Sequence, residues 1–313
     1  MAFLKNFIAM KSKNKIKLIT HNGSFHADDI FAAATLSLML EVEGQDFEVV
    51  RTRDEEEIKN AEYVFDVGGV HDPETNRFDH HQLGGAGKHA NGIELASFGL
   101  VWKKFGAELC GSKAVAELIE NKLVSPIDAA DNAVELVDFK NEVKPYFIQN
   151  AFRAFRPSWK LASEETLLLG FLQCVKMAKD ILANEIELGR DGAEAQEAIN
   201  ACYENTKDKK IIVFDRKYPW EEQIFKYSEP LFVIFPRPSG GLWGAEAVPA
   251  ELYTFQRRKS FPEKWAGLRD LELQKITGVE DAVFCHRGRY MVVAGSKEGA
   301  IALANKALAE SSK

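Results

Sequence analysis

Ile16-Lys17-Leu18-Ile19-Thr20-His21-Asn22-Gly23-Ser24-Phe25-His26-Ala27-Asp28-Asp29 opens with a short β-prone run and closes on a turn rich in histidine and aspartate. Outward from it, residues 30–40 are rich in Ala and Leu, 47–52 are again β-like, and 63–67 follow an acidic, helix-like stretch. This alternation is the β-α-β-α-β signature of a parallel sheet. Such sheets bind ligands outside the carboxyl ends of their strands. His21 and Asp66 fall where the first and third strands should stop, so two strand ends converge on one crevice.

Beyond a glycine-rich loop at 84–92, helices are expected at 94–105, 113–123 and 127–138, the last carrying Asp128 and Asp131. Residues 164–203 space Leu, Ile and Ala as two long amphipathic helices would. The pattern then changes. Strands are expected at 210–214, 231–235, 244–248, 282–285 and 290–293, with a final helix at 298–309. The polar run Glu204-Asn205-Thr206-Lys207-Asp208-Lys209 marks a boundary between a first domain at 16–205 and a second at 208–313. The expected fold class is α/β: a parallel-sheet domain, a helical connection, and a smaller α/β (α+β) C-terminal domain.

With 313 residues, 46% of them hydrophobic, the chain can bury two cores. A net charge of -7 argues against coating nucleic acid by bulk electrostatics, so any phosphate recognition must be local. Cys110, Cys174, Cys202 and Cys285 form no CxxC pair and read as buried small apolar residues of a reducing compartment. The longest apolar stretch, 31–40, is too short to span a bilayer, so no membrane role is expected. A cytoplasmic location is expected, with a weak organelle-targeting signal in the basic residues 1–15 as the alternative.

Six of the seven histidines lie in the first hundred residues, where proportion alone would put about two. Asp79-His80-His81 follows Asp66 by thirteen residues. His21, His26, Asp28, Asp66, His80, His81 and Asp131 together mix imidazole nitrogen with hard carboxylate oxygen. A pair of divalent ions needs some six or seven such donors, one of them a bridging carboxylate. The mixture favours two Mn²⁺ or related ions such as Co²⁺ or Zn²⁺, with Mg²⁺ as a weaker choice. Asp79 reads as a residue that orients a histidine, and His71 and His89 as solvated loop residues.

Four of these segments, His21 to Asp29, Val64-Phe65-Asp66-Val67-Gly68-Gly69, Arg77-Phe78-Asp79-His80-His81-Gln82 and Asp128-Ala129-Ala130-Asp131-Asn132, resemble the metal motifs of the DHH phosphoesterase superfamily. Within it the sequence is most similar to the melanocyte-proliferating-gene exonuclease family. The likeness continues through Arg156-Pro157-Ser158-Trp159 and the run from Phe261 to Asp270, and so covers nearly the whole chain. It implies a DHH-type metal domain in which His21 and His26 hold one ion, Asp28, His80 and Asp131 the other, and Asp66 bridges them. His81 would then face the substrate. In many superfamily members the position of His26 is an aspartate, which turns this chain toward a softer metal. The fourth-motif ligand is Asp131, with Asp128, three residues earlier on the same helical face, as the alternative.

The expected activity is a manganese-dependent phosphoesterase, a 3'-5' exonuclease acting on RNA or short oligonucleotides by attack of a two-metal-activated hydroxide, with Asp66, Asp79 and His81 as the catalytic groups. The alternatives are a hydrolase of small phosphate compounds and a metal-stabilised binding protein without turnover. Lys88, Arg258, Arg269, His286 and Arg287 are the candidate substrate contacts. Phe152, Arg153, Phe155, Arg156 and Trp159 interleave aromatic and basic groups as a single-strand binding surface would, although an amphipathic interdomain segment accounts for them as well. A homodimer is compatible with all of these readings.

Overall fold

A computed structural model describes residues 15–238 and 240–310. The basic segment at 1–15, read above as a weak targeting signal, lies outside them except for its last residue. The chain divides into two compact units at Arg190/Asp191.

In the first unit, β1 (Ile16–Thr20) leads through α1 (Ala27–Val42) to β2 (Phe47–Arg51), and α2 (Glu55–Asn60) leads to β3 (Tyr63–Phe65). Two short strands follow, β4 (His71–Asp72) and β5 (Arg77–Phe78). The sheet order is β2-β1-β3-β5-β4, parallel from β2 to β5 and antiparallel only at the β4 edge. The chain leaves β1 for β2 on one side and returns to β3 on the other. Neighbouring connections thus part at the carboxyl ends of β1 and β3, and a crevice opens there.

Helix α1 is buried almost all round because Ala32, Ala33 and Ala34 let neighbouring backbone come close. It packs on α3 (Ser97–Cys110), where Phe31 stacks on Phe98 at 5.0 Å between ring centroids. Both rings are fully buried, a gain of about 3 kcal/mol each. Gly44, at φ +68°, ends the helix as left-handed glycine commonly does.

Helix α4 (Lys113–Ile119) runs through a π-helical turn at Glu120–Val124 into α5 (Ser125–Asp131). The helix expected to reach residue 138 stops at Asp131. The Asn132 amide donates to the carbonyls of Glu94 and Asp128, and Ala133 takes a left-handed conformation. After α6 (Ile148–Arg153), residues 164–205 form one helix, α7 (Glu164–Asn205), and not the expected two. No proline interrupts the run, so the helix continues through Gly189 and Gly192.

The second unit takes the C-terminal end of α7, then β6 (Ile211–Val213), α8 (Glu221–Phe225), β7 (Phe232–Pro236) and β8 (Trp243–Ala247). Helix α9 (Asp270–Thr277), β9 (Ala282–Cys285), β10 (Met291–Ala294) and α10 (Lys297–Ala309) complete it. Its sheet, β6-β7-β8-β10-β9, is parallel only between β6 and β7. Alternation along β7 sends Phe232 and Ile234 to one core, with Leu303 of α10, and Val233 and Phe235 to another, with Ile199 of α7. The protein is therefore mixed α/β with two sheets. Among the described residues, no helix is long and apolar enough to cross a membrane.

Gly170 of α7 leaves room for the Phe155 carbonyl, since a Cβ there would lie 2.5 Å from that oxygen. Gly170→Ala should lower stability by about 1–3 kcal/mol, seen as a reduced midpoint in chemical denaturation.

Candidate metal centre

Because β1, β3 and β5 are parallel, their carboxyl ends lie on one edge of the sheet, and each releases a polar residue there: His21, Asp66 and Asp79. Phe65 pairs with Phe78, and the Asp66 N–H donates to the Phe78 carbonyl at 3.2 Å. Strand β3 stops sooner than expected because Asp66 adopts φ +56°. Few residues other than glycine accept that conformation, Asp among them, and each such residue costs roughly 1–2 kcal/mol. The turn continues through Gly68 and Gly69, also at positive φ.

The Asp66 carboxylate faces two ways. Oδ2 lies 3.1 Å from His21 Nε2, while Oδ1 lies 3.3 Å from His80 Nε2 and 3.6 Å from His81 Nδ1. On the far side of His80, Nε2 is 3.4 Å from Asp131 Oδ2 and 3.9 Å from Asp28 Oδ2. Among the described residues, three groups present donor atoms within 4.8 Å of one another and could hold a metal ion: His21, His26 and Asp66; Asp66, His80 and His81; His26, Asp28 and Asp131. Of these, His21, His26, Asp66, His81 and Asp131 line a cleft of about 760 Å³ together with Arg53, Asp79 and the Val67-Gly68-Gly69 turn, while Asp28 is buried behind them.

Neighbouring groups set the orientation of these side chains. His21 Nδ1 lies 2.9 Å from the Asn22 carbonyl, an arrangement that leaves Nε2 facing the Asp66 and Asp29 carboxylates. The Asp79 carboxylate accepts from the backbone N–H of Gly69 and of His81, and sits 2.8 Å from His81 Nδ1. Asp29, not singled out in the sequence, proves central. It accepts from the His26 N–H at the start of α1, and its other oxygen is 3.3 Å from His21 Nε2. The signal was present in the Asp28-Asp29 doublet at a helix N-terminus, where acids are favoured.

Electrostatics at the centre follow from burial without water. Burial lowers the His21 pKa, but the hydrogen bonds to Asp29 and Asp66 outweigh it and push it up to about 10. Burial pulls His80 down in the same way, and Asp66 more than offsets it. For Asp66, burial acts upward but the imidazoles of His21 and His80, 3.1 and 3.3 Å away, hold the carboxyl below its usual range. Asp28 is raised well above that range, by burial first and then by the neighbouring charges of Asp66, Asp131 and Asp29. Both Asp28 oxygens and His80 Nε2 are buried without a hydrogen-bond partner. Unpaired acceptors crowded among like charges are the arrangement a cation relieves, and the residues fit one.

Residues 17–308 match the sequence profile of the MYG1 exonuclease family, described as uncharacterised protein family UPF0160. The chain belongs to that family. It is 28% identical to the human MYG1 exonuclease over 342 residues, covering 96% of this chain and 89% of the relative. It is 27% identical to a MYG1 protein of Dictyostelium discoideum, covering 95% and 98%, and 30% identical to one from Chlamydia pneumoniae, covering 89% and 92%. The match to the MYG1 family spans both units, so the likeness is not confined to the metal-motif segments.

The substrate contacts expected from the sequence are placed less simply. Lys88 is exposed and lies 3.4 Å from Glu94. Arg258 donates to the carbonyls of Phe225, Tyr227 and Pro230. The Arg269 guanidinium covers the Phe284 ring, His286 Nδ1 accepts from the Gly288 N–H, and Arg287 is exposed. His89, read as a solvated loop residue, is buried. Its Nδ1 is 2.8 Å from Glu120 and its Nε2 2.8 Å from Asp128, so Asp128 faces His89 while Asp131 faces His80. Gly99 of α3 lets Asp128 approach and donates its N–H to it.

Burial pulls the His89 pKa down, and Asp128 and Glu120 together raise it above the ordinary value. A group raised on folding contributes stability below its unfolded pKa and loses it as pH rises through the folded one. His89→Gln should therefore depress the melting temperature most near about pH 6 and progressively less in alkaline buffer, as followed by circular dichroism.

Proposed function

We propose that this chain is a divalent-metal-dependent phosphoesterase of the DHH type, a 3'-5' exonuclease acting on RNA or short oligonucleotides. The observation that carries the reading is the split carboxylate of Asp66, with one oxygen toward His21 and the other toward His80. The exonuclease names of mammalian relatives support the same class of reaction. His21, His26 and Asp66 would hold one ion, and Asp66, Asp28, His80 and Asp131 the second, with Mn²⁺ suited to that mixed donor set. When bound, such a pair lowers the pKa of water and offsets charge on a phosphoryl group.

The remaining work falls to the protein. Asp66 fixes the spacing of the two halves through a backbone conformation that few other residues accept. Asp79 holds His81 Nδ1, which leaves Nε2 of this largely exposed imidazole for a phosphoryl oxygen of the substrate. The cleft is of a size that accommodates a nucleotide as well as the reacting phosphate. His21, His26 and His80 must be deprotonated to hold an ion, so turnover should fall in mild acid. The second unit, 208–313 in the sequence reading, is assigned the grip on substrate.

Purified protein with Mn²⁺ should shorten end-labelled single-stranded RNA from its 3' end, and a chelator should abolish the reaction. Asp66→Asn should reduce kcat by at least about 100-fold. Wild-type turnover in that variant would remove the metal mechanism. Parallel assays on pyrophosphate and a chromogenic phosphodiester distinguish the substrates: pyrophosphate hydrolysis with RNA left intact would replace the exonuclease by a small-phosphate hydrolase.

A further inference from the structure

Residues 143–163 contain four lysines and arginines and no acid, in a chain whose net charge is -7. The segment is tied down along its length. Phe152 is buried and packs 5.7 Å from Phe31, and the Phe152 carbonyl accepts from Cys174 Sγ. Arg156 covers the Phe25 ring at 5.3 Å and donates to the Phe25 carbonyl, one residue before His26. The carbonyl of Leu161 accepts from Thr166 Oγ1 at the start of α7.

Between these anchors the chain turns its other side chains to water. Trp159 is 85% exposed and Phe155 39% exposed, with Arg153 and Lys160 exposed beside them. Lys160 Nζ lies 5.5 Å from the Trp159 ring. An indole held in water on a fixed backbone adds nothing to the core. Aromatic faces interleaved with cations are what single-stranded nucleic acid uses, bases stacking on the rings while the backbone follows the charges.

We propose that Arg153, Phe155, Trp159 and Lys160 form a stacking surface for the single-stranded part of an RNA substrate, docked beside the metal cleft through the Arg156 contact to the loop that carries His21 and His26. This rests on the exonuclease reading for the identity of the substrate, and it adds a binding path that none of the metal motifs supplies. The absence of acids favours a polyanion over a second copy of this acidic chain.

The test is equilibrium binding of the full-length protein, in chelator so that nothing is cleaved, to an oligouridylate of about 12 nucleotides. Of the five tryptophans, Trp102, Trp220 and Trp265 are buried and Trp243 is half-buried, so quenching of tryptophan fluorescence reports chiefly on Trp159, which is 85% exposed. Wild type should quench. Trp159→Ala should abolish the quench and weaken binding by about 5- to 100-fold, Trp159→Phe should restore most of the affinity, and Arg153→Ala should flatten the salt dependence.

Wild-type RNA affinity in Trp159→Ala would overturn the surface and leave the exonuclease reading intact. A change in oligomeric state in that variant, with RNA affinity unchanged, would overturn it in favour of a contact between copies. Binding through Trp159 by a protein that cleaves no RNA would uphold the surface as a nucleic-acid site and defeat the exonuclease reading instead.

Discussion

The structure of the centre depends on one carboxylate shared between two imidazoles. Asp66 meets His21 through one oxygen and His80 through the other, and each of those histidines belongs to a different strand end. Parallel strands make this sharing feasible. They deliver successive segments to the same edge of the sheet, whereas an antiparallel meander would send alternate strand ends to opposite edges. Burial makes the sharing consequential, because charges removed from water must find partners within the cluster or a cation from outside it. The same arrangement explains the opposed shifts of His21 and Asp66, each held in its charged form by the other.

Around this cluster the protein builds a rigid frame. Asp29 secures His26 and His21, Asp79 secures His81, and Arg51 and Arg156 place their guanidiniums on the Phe25 ring between the two histidines of the first loop. Arg51 also donates to the Gly23 carbonyl. Two like charges near one ring are costly; burial lowers the pKa of both arginines, and Asp29 works against that in each case. Geometry in the loop is thus maintained by residues outside the three donor groups.

Much of this was legible in the sequence. The alternation of residues 16–67 places three parallel strands because local propensity and connection length agree there. Histidine and aspartate at strand ends signal a site through chemistry that packing does not require. What sequence reasoning missed was tertiary in origin. His89 lies in a glycine-rich stretch that reads as mobile, yet two distant acids, Glu120 and Asp128, draw it inside. The helix expected to continue to residue 138 ends at Asp131 because Asn132 finds the Glu94 carbonyl, a partner 38 residues away. Residues 164–205 carry three glycines, Gly170, Gly189 and Gly192, yet form one helix, and surrounding contacts override a cost of about 1 kcal/mol each.

The donors of the cleft come from four segments spread between His21 and Asp131, and no two consecutive segments complete it. Loop closure over such distances must precede any coordination, so all four segments have to be folded together before an ion could be held. A cation held there would stabilise the fold as a whole instead of one of its parts. Loading with metal would consequently register as a cooperative displacement of the entire unfolding transition of the first unit, and fragments ending before α5 would lack a donor that the intact centre needs.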